Sequence, residues 1–327
     1  MTYKLICQNS ITGVVYDATT LAENIQHQTQ LGGQPGKLTF SLKQDPNNVI
    51  QLSNGSIIRF SVNGEGIFFG YIFTLSTDEK DGYKVTAYDQ MRYLKNEEVY
   101  LTSGMTADQI FLQVCKDNFP VVPPNPPRYK VVTPSSFIVP EYLHDKKTLY
   151  SIIEYGIQRA NIAESKQYFL KDKFGTLLFT ELAQEKTDLV IGERSLLTGY
   201  QYEASIDKNT YNAVKIVRDN ETTGKRDVWI EFDSSTQKQW GKLQMVEKAD
   251  ESLNEAQIKE LAHNLMQLRN RETKTMKMTA LGDTRMVAGS GFVFELNKLN
   301  LKQHMWITSA THTYVRDYYT MQLGVFI

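Results

Sequence analysis

Histidines and cysteines are the side chains of this sequence best suited to bind a metal ion. The five histidines are scattered, and the closest pair, His304 and His312, lies eight residues apart on one predicted strand. At about 3.3 Å per residue the two rings would stand about 26 Å apart, too far to share a zinc ion. Cys7 and Cys115 are distant from each other and fall in apolar patterns, so we expect buried free thiols. The sequence therefore predicts no metal site.

The glycine-rich run from Gly32 to Lys37 is the segment that suggests phosphate binding. A P-loop requires four residues between its glycines and a serine or threonine after the lysine. Here three residues separate Gly32 from Gly36, and Leu38 follows Lys37. We interpret the run as a turn that leads into a strand, and we expect no bound nucleotide.

Hydrolytic machinery is also missing from the sequence. It contains no G-x-S-x-G turn and no H-E-x-x-H helix, and Ser290, between two glycines, is better interpreted as the approach to a hairpin. Glu97 with Glu98, and Glu251 with Glu255, fall near caps and exposed loops, where carboxylates are solvated or face a helix dipole. We predict no catalytic, cofactor-binding or metal-ligating residue, no cofactor, and a protein that is not an enzyme.

Length, charge and composition narrow the class of protein further. With 327 residues the chain should form two or three domains, because one domain usually spans about 100 to 200 residues. A formal net charge of -1 and a pI near 6.5 give no global basic field, which disfavours sequence-specific recognition of nucleic acid. Residues 1–10 lack an apolar signal core and no run of 18 apolar residues occurs. Folding in a bacterial cytoplasm without membrane insertion is therefore expected.

Alternating apolar residues predict strands in the first part of the chain. In residues 37–43, Leu38, Phe40 and Leu42 share one face and polar side chains occupy the other. Further alternating runs follow at 56–62, 67–76 and 83–89, with turn residues at 45–48, 63–66 and 81–82. Residues 1–90 therefore predict a compact antiparallel sheet, which we expect to close into a barrel.

Two helices and a proline-rich connector are predicted in the middle of the chain. Thr106 and Gln109 form a capping box before an apolar helical stripe. Seven prolines between residues 120 and 140 remove backbone donors, which predicts an extended connector without a regular element. A second helix is predicted over 145–160, followed by short strands around a turn at 174–175. Its buried stripe should comprise Leu149, Ile152, Ile153, Ile157 and Ala160.

Strands return after Gly192, around one further helix. Residues 212–232 predict a hairpin with its turn at 222–225. Ser252 as N-cap and Glu255 three residues later predict a helix that runs to about residue 270. Its apolar positions recur with a period of 3.6: Ile258, Leu261, Ala262, Leu265 and Leu268. The remaining residues again alternate as strands.

The C-terminal strands repeat the order and spacing of the N-terminal strands. Residues 57–62 match 291–296 and residues 69–77 match 303–311 at an offset of 234, while 83–87 match 318–322 at 235. Met276 and Met278 take the inward positions of Leu38 and Phe40. Any two antiparallel meanders share alternation and turn residues, so this match also has a trivial interpretation. The sharper hypothesis is a duplicated barrel, which as a trimer would present six similar units in a ring.

These patterns predict an α+β fold that is mainly β, with two similar antiparallel, tube-like β-barrels. The first barrel domain is predicted over residues 1–92. Residues 93–190 should contain a connector helix, the proline-rich linker and a small α+β insert. Residues 191–327 should form the second barrel, interrupted by a hairpin and a helix over 252–270.

Three runs of the sequence resemble a known family. They are residues 85–96 (VTAYDQMRYLKN), 189–228 (beginning LVIGERSLLTGYQYEASIDKN) and 240–262 (WGKLQMVEKADESLNEAQIKELA), about a quarter of the chain. They resemble the hub proteins of defective Bacillus prophage tails, the XkdQ/YqbQ type, which are similar in turn to the baseplate hubs of contractile phages. The resemblance implies a structural hub that forms homotrimers with two tube-like barrels per subunit. It carries over no catalytic residue.

The implied partners are further copies of the chain in a homotrimer, the hexameric tail tube, the trimeric spike or needle and other baseplate proteins. The tape-measure protein is a further candidate. The particle is either a phage virion or a released, bacteriocin-like tail. Two alternatives stay open: a tail-associated peptidoglycan hydrolase or cell-wall-binding module, and a free-standing enzyme with an unrecognised site. A hydrolase would need an acid and a base that converge in a cleft.

Overall fold

The computed structural model describes residues 1–43, 50–78, 82–119, 128–207, 209–220, 224–249, 253–299, 301–315 and 318–326. Predicted features at 45–48, Asp81, 120–127, 222–223 and 251–252 lie outside these ranges. The first part of the chain contains β1 (Tyr3–Gln8), β2 (Val15–Asp17), β3 (Ala22–Gln30), β4 (Lys37–Leu42), β5 (Ile57–Val62), β6 (Glu65–Asp78) and β7 (Gly82–Tyr88).

The middle of the chain mixes helices and strands. It contains β8 (Glu97–Thr102), α1 (Ala107–Asn118), β9 (Tyr129–Val131), β10 (Tyr142–Thr148), α2 (Leu149–Glu164), β11 (Tyr168–Lys173) and β12 (Thr176–Glu181). The last part contains β13 (Lys186–Gly192), β14 (Leu197–Ser205), β15 (Ala213–Asn220), β16 (Lys225–Phe232), α3 (Ser234–Trp240), β17 (Gln244–Lys248), α4 (Glu255–Arg269), β18 (Thr273–Leu281), β19 (Gly291–Leu296), β20 (Leu301–Val315) and β21 (Tyr318–Phe326). The fold is mainly β, as predicted.

The chain divides into two compact units. The larger unit comprises Met1–Tyr200 together with Lys277–Phe326, and the smaller unit comprises Gln201–Met276. The N-terminal and C-terminal strands thus belong to one unit. The chain leaves it within β14 and returns within β18.

The largest sheet contains the same strand order twice. Its order is β14-β18-β21-β20-β3-β4-β7-β6-β5-β1-β2, and β19 with β13 branches from β20. We name β3-β4-β7-β6-β5-β1 the first repeat and β14-β18-β21-β20-β19-β13 the second repeat. The two orders correspond strand for strand, as the sequence matches predict. One pairing differs, because β1 runs antiparallel to β5 whereas β13 runs parallel to β19.

The two repeats join edge to edge through β3 and β20. β20 pairs antiparallel with β21 on one side, and residues Ser309 to Tyr314 pair antiparallel with Ile25 to Gln30 of β3 on the other. The aromatic rings of Phe60 and Tyr314 add a contact between the repeats, with centroids 4.9 Å apart. Both rings are almost wholly buried. The first core therefore includes a residue from the far end of the chain.

Bulges fix the register between the repeats. A bulge follows Ile72 in β6 and Ile307 in β20, and both isoleucines are buried. The two residues are therefore equivalent, and the offset between β6 and β20 is 235 residues. Ile72 pairs with Ala87 and Ile307 with Val325, so β7 and β21 correspond at 238. The sequence-based offsets of 234 for β6 with β20 and 235 for β7 with β21 are therefore wrong. The offset of 234 holds for β5 with β19, where the carbonyls of Ser56 and Ser290 accept from the amides of Ile72 and Ile307. Bulges and a longer final hairpin shift the register, and a shift of one residue exchanges the two faces of a strand.

Equivalent hydrogen bonds confirm the correspondence of β3 with β14 and of β4 with β18. The amide of Lys43 donates to the carbonyl of Leu21 at 3.0 Å, and the amide of Leu281 donates to the carbonyl of Leu196 at 2.9 Å. Lys43 and Leu281 give an offset of 238 between β4 and β18. Leu21 and Leu196 give an offset of 175 between β3 and β14, before the bulge in β3 that follows Glu23. Leu38, Phe40, Met276 and Met278 are all buried, as predicted.

The insert between the repeats is built around α1 and α2. Thr106 begins α1, and its amide donates to Oε1 of Gln109 at 3.0 Å, as the capping box predicts. Thr148 caps α2 by accepting from the amide of Ser151 at 3.1 Å, so α2 begins four residues later than predicted. The predicted stripe of α2 is buried at Leu149, Ile152, Ile153, Ile157 and Ala160.

One part of the proline-rich connector is regular, contrary to the prediction. β9 pairs in parallel with β12 through Tyr129 to Val131. These three residues follow Pro127 and precede Pro134, so each of them retains its amide donor. The prediction of no regular element between residues 120 and 140 is wrong at this point.

The smaller unit packs α4 against one face of the sheet β16-β15-β17. Asn254 caps α4: its side chain accepts from the amide of Gln257 at 3.0 Å, and Oε1 of Gln257 accepts from the amide of Asn254 at 2.9 Å. The predicted cap at Ser252 is therefore displaced by two residues. Leu268, predicted to be buried, is 51% exposed, because it lies about 120° around the helix from Ala262, at the middle of the buried face formed with Ile258 and Met266.

We expect Ile258→Ala to destabilise the smaller unit by about 2 to 5 kcal/mol, because the fully buried side chain leaves a cavity against Val214 and Ile216. Leu268→Ala is the matched control on the same helix and should cost less than about 0.5 kcal/mol. Urea denaturation followed by circular dichroism measures both. Equal losses in the two variants would contradict the observed helix face. Leu261, half-buried, should fall between them.

Candidate assembly interface

The joint between β3 and β20 brings together residues that lie far apart in the sequence. His27 pairs with His312 in strand register, and their rings stack with centroids 6.2 Å apart. His304 lies at the other end of β20, exposed beside Trp306. The histidines nearest in sequence are thus not the pair that the fold assembles. The contact between His27 and His312 depends on the pairing of β3 with β20, and patterns in a single sequence do not specify that pairing.

Hydrogen bonds fix the tautomer of His312. Its Nε2 lies 2.8 Å from the carbonyl oxygen of Met286, which can only accept, so Nε2 carries the proton. The hydroxyl of Tyr319 then donates to Nδ1 at 2.9 Å, and Tyr314 donates to Tyr319 at 3.5 Å. Nδ1 of His27 has no hydrogen-bond partner among the described residues. The joint between the repeats is therefore polar although it is buried.

Burial keeps both imidazoles neutral. Burial, and secondarily His312, lowers the pKa of His27 to about 3. Burial also lowers the pKa of His312 to about 4, although the Met286 carbonyl and Asp283 act in the opposite direction. An uncharged pair fits inside the sheet joint, whereas protonation would place two like charges side by side.

A second buried polar contact ties the insert to the first repeat. Asp89 accepts from the amide of Gly36 at 2.7 Å, just before the 3₁₀ helix Gln90–Lys95. Asp172, in β11, accepts from the amide of Gly175 at 2.7 Å and from the amide of Gln90. Because Gln90 directly follows Asp89, the β11–β12 hairpin is held at the end of the first repeat.

The two carboxyl groups of this contact favour protonation. Burial and the neighbouring Asp172 raise the pKa of Asp89 well above its usual range. Burial raises the pKa of Asp172 to about 7, although hydrogen bonds from Gly175 and Gln90 oppose the change. Oδ2 of Asp172 has no hydrogen-bond partner among the described residues. We conclude that the pair holds a proton at neutral pH, since two buried carboxylates repel each other.

The motifs considered for chemistry have structural roles. Gly32 and Gly33 adopt positive φ values of 81° and 73° and lead into β4, which confirms a turn before a strand. The hydroxyl of Ser290 is buried and donates to the carbonyl of Arg285 at 2.9 Å, so it is not poised as a nucleophile. Glu255 forms an exposed ion pair with Lys259.

Both cysteines are free and buried, as predicted. Burial raises the pKa of Cys7 to about 12, and burial raises the pKa of Cys115 as well. Within the described ranges, no three histidine, cysteine, aspartate or glutamate side chains form a group that could hold a metal ion. The helices of the same ranges are each too short or too polar to cross a bilayer. Absence of a cofactor and of catalysis stays a prediction.

Of the edges that correspond to this joint, each repeat leaves one without a partner in the described chain. In the second repeat, β3 fills the edge of β20 from Ser309 to Tyr314. The equivalent edge of β6, from Thr74 to Asp78, pairs only with β7 on its opposite side. β14, the counterpart of β3, pairs only with β18, and its Tyr200 is 40% exposed. Such edges present backbone donors and acceptors to another chain, so we regard them as the candidate assembly interface.

Comparison with known proteins identifies the family. The model of the YQBQ-like family matches residues 25–326. The chain belongs to this family. The uncharacterized protein YqbQ of Bacillus subtilis strain 168 is 26% identical to this YQBQ-like chain, over 95% of each. XkdQ, a phage-like element PBSX protein of the same strain, is 25% identical, over 88% of this chain and 86% of XkdQ. The resemblance carried by the three sequence runs is thereby confirmed.

The fold of the YQBQ-like chain also occurs in a solved structure. The 43 kDa tail protein of prophage MuSo2 from Shewanella oneidensis matches it with a TM-score of 0.72. The alignment covers 98% of both chains at 14% sequence identity. At this identity the likeness establishes a shared fold.

Acid should loosen the joint between the repeats of the YQBQ-like chain. Unfolded histidine binds a proton below about pH 6.5, whereas folded His27 does so only near pH 3. The unfolded state therefore binds more protons between these values, and stability falls as pH falls through this window. Between pH 6.5 and pH 4, the melting temperature of His27→Gln should fall less than that of the parent chain. A variant curve parallel to the parent would contradict the prediction.

Base should loosen the contact between the insert and the first repeat. Asp172 ionises near pH 7 in the folded chain but at its ordinary value of 3.8 in the unfolded chain. The folded state holds the extra proton between these values, so stability falls as pH rises from 3.8 through about 7. We expect the melting temperature of Asp172→Asn, relative to the parent, to rise from pH 4 to pH 8. For exposed Asp145→Asn the difference should be constant, and a constant difference for Asp172→Asn would refute this assignment.

Proposed function

We propose that this chain is the structural hub subunit of a contractile phage tail or a phage-tail-like particle. In this proposal it forms a pseudo-six-fold trimeric ring that joins the hexameric tail tube to the trimeric spike. Support for a structural role in a phage tail comes from XkdQ, a phage-like element protein, and from the tail protein of prophage MuSo2. The other partners in the proposal are further baseplate proteins and the tape-measure protein. Assembly in the bacterial cytoplasm, followed by release in a virion or tail-like particle, completes it.

The observation that carries the ring is the unequal use of two equivalent edges. Within the chain, β3 fills the free edge of β20. The same topology leaves the edge of β6 open and leaves β14 as the strand able to fill it. One chain cannot satisfy both edges by itself, whereas a second subunit can bring its β14 to β6. Repetition of that step closes after three subunits if each pairing turns the chain by the same angle.

The ring would then contain two kinds of joint with one geometry. Joints between β3 and β20 lie within subunits, and joints between β14 and β6 lie between subunits. Three chains with two repeats each supply six similar positions, which suits a six-fold tube on one side and a three-fold spike on the other. The division into a first part at 1–92, an insert at 93–190 and a second part at 191–327 remains our proposal for the domains.

The joint within the chain predicts the register of the joint between subunits. Thr311 pairs with Gln28 inside the chain. The offset of 235 relates Thr311 to Ser76. On the premise that β14 lacks the bulge present in β3, Gln28 corresponds to Tyr202 at an offset of 174, one less than before that bulge. Ser76 of one subunit should therefore lie opposite Tyr202 of the next.

We expect Ser76→Cys combined with Tyr202→Cys to form disulfide-linked dimers and trimers under mild oxidation, because directly opposed strand residues bring their Cβ atoms within disulfide reach. Non-reducing electrophoresis should show a covalent trimer with three times the 37.5 kDa mass of the chain. Native Cys7 and Cys115 are buried and should not contribute.

The matched control replaces Lys4, an exposed residue of β1, together with Tyr202 by cysteine. It carries the same number of new thiols but no predicted contact. Equal cross-linking in the two double variants would reject the paired edges. Light scattering measures the mass of the unmodified chain in solution. A monomer in that measurement would not contradict the ring, because the tube or the spike can serve as the template for ring closure.

A further inference from the structure

A groove on the exposed face of the large sheet has an unusual charge composition. It lies over β3, β4 and β20 and has a volume of about 690 Å³. Three cationic side chains line it: Lys37, Arg92 and Lys95. Its other polar residues carry amides or hydroxyls: Gln28, Thr29, Gln30, Gln34, Thr74, Tyr88, Ser309 and Thr311. Among the described residues that line it there is no aspartate or glutamate.

The three cations are not neutralised by neighbouring acids. Lys95 donates to Oε1 of Gln34 at 3.2 Å, a neutral partner. The guanidinium of Arg92 lies 5.2 Å above the ring of Phe73, which orients it without cancelling its charge. Lys37 forms no ion pair with a described residue. A chain of almost zero net charge thus keeps a local positive field in this groove.

The same chemistry continues along the sheet face. Next to the groove, alternate residues Thr39 and Ser41 of β4, with Gln26 and Ser76, line a second concavity of about 350 Å³. The described residues of its lining also include no carboxylate. From Lys37 to Ser41 the face extends about 14 Å along the strand.

We propose that this groove binds the phosphodiester backbone of double-stranded DNA without reading its base sequence. Phosphate oxygens in protein complexes accept hydrogen bonds from lysine, arginine, threonine, serine, glutamine and tyrosine, the side chains present here. Because the described lining contains no carboxylate, the groove does not repel a polyanion as a surface of mixed charge would. Acidic peptide motifs are recognised by clusters of arginine, whereas this groove has one arginine among lysines, amides and hydroxyls. The proposal does not rest on the ring: Thr74 and Ser76 line this face with their side chains, whereas the ring uses the backbone edge of the same strand.

The test measures fluorescence anisotropy of a labelled short DNA duplex with the full chain at about 50 mM and about 200 mM salt. The parent should bind weakly, with affinity that falls steeply with salt. Lys37→Gln with Lys95→Glu should bind at least about tenfold more weakly at the lower salt, and the slope of log affinity against log salt should fall by about two. Lys95→Glu alone should lower the slope by about one. Because this position is exposed, the single variant tests the groove even where the double variant fails to fold.

The charge-matched control is Lys242→Gln with Lys298→Glu, two exposed lysines outside the groove. It should bind DNA as the parent does. Equal losses in the control and groove variants, or no binding by the parent at the lower salt, would overturn the proposal. Polyglutamate of equal charge should compete poorly, and equal competition would assign the groove to acidic protein instead. DNA binding together with equal cross-linking in the Ser76–Tyr202 and Lys4–Tyr202 cysteine variants would reject the ring and retain the groove. Cross-linking specific to Ser76 and Tyr202 without DNA binding would reject the groove alone.

Discussion

Backbone hydrogen bonding at strand edges is the constraint from which most of this fold follows. An unpaired edge exposes a row of amide donors and carbonyl acceptors that another chain can use. The pairing of β3 with β20 satisfies one such row and makes a single sheet from strands almost 300 residues apart in sequence. It also buries Tyr314 in the core of the first repeat. Without this joint the two repeats would be separate meanders, each with two open edges.

The polar interior of the joint has a cost that the geometry offsets. A buried imidazole or carboxyl group is expensive unless its hydrogen bonds are made. His312 uses both ring nitrogens, and Asp89 accepts two amide hydrogen bonds. These directional contacts admit one alignment of β3, β20 and the β11–β12 hairpin, whereas apolar packing would tolerate several. We infer that the polar groups serve to define the relative position of repeats and insert within the chain.

The sequence predicted the elements better than it predicted their register. Alternation at Leu38, Phe40 and Leu42 and the capping box at Thr106 depend on neighbours in sequence, so they could be predicted correctly. The start of α2 was misplaced because Lys147 and Thr148 pair with β8 after a bulge at residues 145–146, and this pairing overrode local helix preference. The bulges after Ile72 and Ile307 left no sequence signal, and neither did the pairing of His27 with His312. Both depend on contacts between distant strands.

The positions of the two large insertions extend the argument from one chain to the proposed ring. β7 ends beside the start of β4, because Tyr88 pairs with Lys37, and the insert leaves the first repeat from there. The short connection between β3 and β4 lies at this same end of the strands. In the second repeat the corresponding connection, between β14 and β18, is where the chain departs into the smaller unit. The hairpins β6–β7 and β20–β21 form the other end of the strands. In the proposed trimeric ring, one rim would carry six similar hairpins, which suits a six-fold tube.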